Sequence, residues 1–229
     1  MAKISNLFRW SRTVDIKDGS KILATVYMRL VGDVDYQEAR NVALKASKRL
    51  RVALRNKDSE EYKANLLDSM ALTREEKLIG VNIYEMGDYR DEALMVTPEK
   101  APPELPDNPT LEDQEKHQDA LDKARTERAQ ALTDFMDKRS VARREEVSKL
   151  SGAEINDIYE TALINAKCTE EFGRVFREYQ VFRGTFDNKD FTTPSFSSYQ
   201  EFTDSSLILK NQLTSAYIGL EISGEELKN

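Results

Sequence analysis

Apolar and polar residues alternate at the start of the chain and then switch to a helical period. From Arg12 to Ile16 the alternation places Val14 and Ile16 on one face. Lys17-Asp18-Gly19-Ser20 supplies a turn, because Asp-Gly readily takes positive φ. Between Lys21 and Val31 the residues Ile22, Ala24, Val26, Met28 and Leu30 share a face by period two. The pattern predicts a β-hairpin. Two strands alone are marginal in water, so the hairpin must pack on a helix or on another chain.

Gly32-Asp33 ends the alternation. Asp35 and Glu38 have capping-box spacing, with Asp in place of Ser or Thr. The helix they open runs to about Arg55, with Ala39, Val42, Ala43, Ala46, Leu50, Ala53 and Leu54 on one stripe. Arg40, Lys48, Arg51 and Arg55 fall on the opposite side. Asp58-Ser59 opens a short helix through about Leu67. Thr73 and Glu76 form a capping box for the next helix, whose apolar positions are Leu78, Ile79, Ile83, Met86 and Leu94. Gly80 and Gly87 weaken it, each by about 1 kcal/mol relative to alanine. Residues 97–110 then hold five of the six prolines. Proline forbids helix and stiffens an extended chain, so this segment is expected to be a linker between two halves.

After Thr110 a highly charged helix is predicted to about Leu150. Its stripe of Leu121, Ala124, Leu132, Phe135, Ala142 and Leu150 is narrow and interrupted by Arg128, Arg139 and Glu146. Such a helix suits an arm leaning on a neighbour better than a continuous coiled coil. Ser151 and Glu154 cap a further helix to about Arg183, lined by Ile155, Ile158, Tyr159, Ala162, Ala166 and Phe176. Gly173 on that stripe predicts a close backbone approach or a bend. Gly184 to Ser197 reads as a loop. Ser198 and Glu201 cap a short helix, and a last helix carries Leu207, Leu209, Leu213, Ala216, Tyr217 and Leu220. The expected fold is α+β and mainly α. It comprises an N-terminal hairpin and helical domain (1–96), a proline-rich linker (97–110) and a helical domain (111–229).

Composition narrows the function. With 33% charged residues and a net charge of −7, the chain as a whole repels phosphate backbones, so nucleic acid is not the expected partner. The single cysteine forms no intramolecular disulfide and suits a reducing cytosol. No apolar run is long enough to cross a membrane and no signal-peptide core is present, so no membrane partner is expected.

Candidate chemistry is sparse. His117, the only histidine, lies between Lys116 and Gln118 on the charged helix, and a metal site there would need carboxylates gathered from a distance. Cys168 precedes Glu170 and Glu171, which raise a thiol pKa and lower its reactivity. A Cys168–His117 dyad lacks a loop motif that presents a nucleophile. The acidic pairs at 75–76, 145–146, 170–171 and 225–226 read as solvated helix faces. No phosphate-binding loop or dinucleotide fingerprint occurs. The expectation is therefore a non-enzyme with no cofactor and no metal. The basic face of the first helix is the one concentrated positive feature. Its readings are solvation or internal pairing, then a protein partner, then nucleic acid. Phe8 and Trp10, ahead of the first strand, are core residues or a docking anchor.

The order of segments resembles long-tailed bacteriophage tail assembly chaperones and minor tail proteins. The resemblance rests on residues 26–33 (VYMRLVGD) running into Glu38-Ala39-Arg40. It extends through Leu50-Arg51, Ala53-Leu54-Arg55, Ser59-Glu60-Glu61-Tyr62, Cys168-Thr169-Glu170-Glu171-Phe172, residues 196–202 (FSSYQEF) and residues 212–217 (QLTSAY). It implies a protein of the host cytoplasm that binds the tape-measure protein or other tail proteins while tail tube subunits assemble. It leaves a homo-oligomer open. Chaperones of this kind leave the finished virion and commonly occur as a short and a frameshifted long form, and Leu227-Lys228-Asn229 permits a slippery codon run. The rival readings are a virion structural protein of the tail, neck or baseplate, whose hairpin adds to a neighbour's sheet, and an acidic helical scaffold. Arg40, Lys48, Arg51, Arg55, Leu213 and Tyr217 are the expected partner-binding residues.

Overall fold

A computed structural model of the chain describes residues 11–98, 105 and 109–226, and for 222–226 only the backbone path. The fold is α+β and mainly helical, with a small antiparallel sheet beside its helices. Phe8, Trp10, Leu227-Lys228-Asn229 and most of the proline-rich segment lie outside the described residues, as do the side chains of Glu225 and Glu226.

The described residues form two compact units. The first holds the residues up to Val52 together with those from Cys168 onward; the second runs from Ala53 to Lys167. This partition replaces the expected division at 97–110. The reason is that helices on either side of the prolines pack against each other.

In the first unit β1 (Ser11–Asp18) and β2 (Lys21–Arg29) form the hairpin, closed by the two-residue loop Gly19–Ser20. Gly19 takes φ +57°, a conformation that favours glycine at the first loop position. The register shifts between Ile16 and Lys17: Ile16 faces Ala24 and Lys17 faces Ile22, leaving Leu23 as an extra residue on β2. One inserted residue reverses which face follows. Ile22 is therefore exposed and off the core face where alternation had placed it, whereas Val26 and Met28 are buried. A two-residue strand β3 (Thr185–Phe186) pairs with β2 to give the order β1-β2-β3. It falls within the loop expected from Gly184 to Ser197, because two residues carry no period.

The core of this unit joins Val14, Ile16, Val26 and Met28 of the sheet to Val181 of α6 (Gly152–Gly184). Phe202 of α7 (Tyr199–Asp204) and Leu213, Tyr217 and Leu220 of α8 (Leu207–Glu226) complete it. Part of α1 (Asp33–Arg55) belongs here too, burying Ala39 and Ala43. Asp35 does not cap α1; it accepts a 2.7 Å hydrogen bond from Arg183 Nε, and the helix starts two residues earlier, at Asp33.

The second unit contains α2 (Glu60–Asn65), α3 (Leu67–Met70), α4 (Arg74–Val96) and α5 (Leu111–Ser148), with the adjoining parts of α1 and α6. Thr73, Thr110 and Ser151 each accept from a backbone N–H three residues on, and a carboxylate reaches back to each cap. These reciprocal bonds satisfy donors that a helix start leaves open. The α4–α5 pair is antiparallel. Arg74 donates to the carbonyls of Ser148 and Leu150, Arg143 to Glu85, Arg139 to Glu92 and Arg128 to Thr97. The arginines that interrupt the apolar stripe of α5 thus bind it to α4.

The buried face of α4 differs from the expected one. Lys77, Val81, Tyr89 and Ala93 are buried, while Ile79, Ile83, Met86 and Leu94 are exposed. Lys77 is tolerated inside because its Nζ donates to Met70 O at 2.7 Å and to Asn156 Oδ1 at 2.8 Å. Gly80 admits the Tyr159 ring, whereas a Cβ on Gly173 would meet open space; the close approach expected at Gly173 occurs instead at Gly80 and Gly184.

Candidate protein-binding surfaces

Seven basic and no acidic side chains occupy residues 39–57, while the rest of the chain holds 27 basic against 41 acidic residues. The positive charge on α1 is therefore a local feature set within an acidic protein. Arg40, Lys48 and Arg55 are exposed and Arg51 is half-buried. At 100° per residue the four fall within an arc of about 80°. Leu44 lies inside the arc and Val52 beside it, at 40% and 72% exposure. Among the described residues no ion pair involves Arg40, Lys48 or Arg55. A cationic strip bearing exposed aliphatic residues can meet an acidic, amphipathic helix, giving its charges partners and its apolar atoms cover.

Leu213 and Tyr217 do not belong to such a surface. Both are 1% exposed, in the core between α8 and the sheet. The Val31 N–H donates to Tyr217 Oη at 3.1 Å. Burial pushes the Tyr217 hydroxyl up to about 12. Their helical spacing was the signal for both readings, and a stripe that could bind a client is equally one that binds the protein's own sheet.

The apolar row of α4, expected to face the interior, is exposed. Ile79, Ile83, Met86 and Leu94 follow one another at helical spacing on the side away from Val81 and from the Glu85 and Glu92 that bind α5. The hydrophobic pattern was legible, but its side was not. The buried row contains a lysine and a tyrosine, which score as polar.

The groups weighed for catalysis sit as follows. Cys168 is buried and in no disulfide, and its carbonyl accepts a 2.9 Å bond from Ser47 Oγ. His117 belongs to the other unit, and its Nδ1 has no hydrogen-bond partner among the described residues. Of the acidic pairs, Glu76 serves the α4 cap, Glu146 lies beside Arg143, and Glu171 pairs with Arg174. Among the described residues no group of three or more His, Cys, Asp or Glu is arranged to hold a metal ion. No helix among them is long and apolar enough to cross a membrane.

The second unit has an open recess of about 280 Å³ beside Tyr84, Glu85, Arg143 and Asp157. Arg143 grips Glu85 through two bonds, of 2.8 and 2.9 Å, and Tyr89 Oη donates to Glu85 at 2.8 Å. Burial opposes ionisation of Glu85. The bonds from Arg143 and Tyr89 and the charge of Arg143 outweigh it, so the carboxyl titrates below its usual range. A general acid at neutral pH requires the opposite shift. The chemistry this recess provides is a fixed ion pair between two helices.

Comparison with protein-family models, with curated proteins and with solved structures finds no match to this chain.

Proposed function

We propose that the protein is a non-catalytic assembly chaperone that holds a helical client, and that the client is the tape-measure protein of a long-tailed phage. The observation that supports this reading is the basic strip of α1: Arg40, Lys48 and Arg55 are exposed and, among the described residues, make no ion pair, and Leu44 and Val52 stud the strip. A long acidic or mixed-charge amphipathic client would lay its apolar face on those aliphatic residues and its carboxylates on the arginines. Resemblance of the segment order to tail assembly chaperones supplies the identity of the client.

The reading is tested by co-expressing the chain with the tape-measure protein of a long-tailed phage and measuring co-purification. Charge reversal at Arg40 and Lys48 should abolish recovery of the client while leaving the thermal transition in place. Quantitative mass spectrometry of infected cells and purified particles tests the transient role: abundance in lysate with absence from particles is expected. A fixed copy number in the particle would make the protein a structural subunit instead.

A further inference from the structure

The sheet of the first unit has an open side. In the order β1-β2-β3, β1 pairs on one edge only among the described residues. Neighbouring residues on a strand aim their N–H and C=O groups to opposite sides, so every second residue presents both to the free edge. Lys17 identifies which set faces outward. Its N–H donates to Gln212 Oε1 at 2.9 Å, and its carbonyl accepts from Gln212 Nε2 at 2.7 Å. The extra residue of the hairpin lies on β2, so β1 is uninterrupted from Ser11 to Lys17. By alternation, Thr13 and Asp15 present their N–H and C=O in the same row as Lys17. Among the described residues nothing outside the hairpin bonds to these main-chain groups.

That row faces a groove of about 390 Å³ between β1 and α8. The groove has width because the α8 residues along it are small: Ser215 and Ala216 line it, and Gly219 lies at its far end, where a Cβ would come within 3.1 Å of Arg12 Nη1. The Gln212 amide closes the near end. A carboxamide that donates to and accepts from one strand residue reproduces the pair of bonds a neighbouring strand makes. The next two positions of the row have the groove and no amide in it.

We propose that this groove takes an extended peptide segment of a partner protein, added to β1 as a fourth strand and bound mainly through its main chain. From Arg12 to Lys17 the edge spans about 17 Å, room for roughly six residues. Main-chain bonds to Thr13 and Asp15 supply the register. Arg12 and Lys17 at the two ends favour acidic residues flanking the strand. A second copy of the chain fits poorly, because each copy's β1 edge is walled by its own α8. The proposal is independent of the α1 surface and of the identity of its client.

The test uses the full chain and a capped synthetic peptide, EVTVTE, with amide exchange read by nitrogen-edited NMR. Saturating peptide should slow exchange at Thr13 and Asp15 about tenfold or more and leave α5 amides unchanged. The same peptide N-methylated at the residues facing the edge should bind at least about tenfold more weakly. Thr13→Pro removes one outward donor at a position where an edge strand tolerates proline, and should weaken the unmodified peptide similarly while the thermal transition is retained. The proposal is overturned if the N-methylated peptide binds as tightly as the parent, or if roughly millimolar parent peptide leaves both amides unchanged. Slow exchange at Thr13 and Asp15 in the peptide-free protein would also overturn it, since the edge would then be occupied by the chain itself or by a second copy.

Discussion

The carbonyl oxygen of Arg29 lies 2.6 Å from the place a Cβ on Gly184 would take, and a ring carbon of Tyr217 lies 2.8 Å from the same point. The end of β2, the end of α6 and the middle of α8 therefore meet with no room for a methyl group. Gly184→Ala must move backbone and is expected to lower stability by about 2–3 kcal/mol. Gly80→Ala meets the Tyr159 ring at 2.5 Å, but gains about 1 kcal/mol of helix propensity. Its net loss should be the smaller of the two. Denaturation midpoints of both variants check the ranking, and a neutral Gly184→Ala would contradict the close approach.

Tyr217→Phe separates a core role from a client-binding one. The ring stays, and the acceptor for the Val31 N–H at 3.1 Å is lost. A loss of about 1 kcal/mol and faster exchange of the Val31 amide are expected, with client recovery unchanged. Undiminished stability together with lost client recovery would return Tyr217 to the binding surface.

Acid should weaken the α4–α5 pair. The folded-state pKa of Glu85 is depressed below its ordinary value of 4.5. Its stabilisation is therefore fully present above about pH 4.5 and is lost as pH falls through the folded-state value. The capping carboxylates Glu76, Asp113, Glu154 and Glu201 shift in the same direction. Thermal unfolding from pH 7 to pH 3 should show a falling transition. Glu85→Gln should start lower by about 1–2 kcal/mol, because Arg143 loses its charged partner, and should fall less steeply. Parallel curves for the two proteins would remove Glu85 from the account.

The two faces of α4 give opposite outcomes. Ile83 is 62% exposed and Val81 is 1% exposed. Ile83→Glu should leave stability within about 0.5 kcal/mol. Val81→Asp places a charge inside the unit and should unfold it. Circular dichroism melts distinguish them, and the reverse ranking would restore the face that hydrophobic periodicity alone selects.

The sequence by itself determined the elements whose causes are local. The hairpin follows from alternation around Asp18-Gly19. The helix starts after Thr73 and Ser151 follow from side chains that bond backbone three residues away, and α1 follows from a clean stripe of alanine and leucine that ends where predicted, at Arg55. The basic strip was legible for the same reason, since charge and helical period are both written in order along the chain.

Tertiary structure alone decided which apolar rows are interior. Leu213 and Tyr217 are core because the hairpin needs a cover, and the Ile79–Ile83 row is exposed because the Arg143–Glu85 and Arg139–Glu92 pairs turn the other side of α4 toward α5. The compact units, β3 and the free edge of β1 likewise arise from residues far apart in sequence. Lys17 and Gln212 are separated by 195 positions, and no local pattern records which distant partner a residue meets, because that choice is made by packing the whole chain at once.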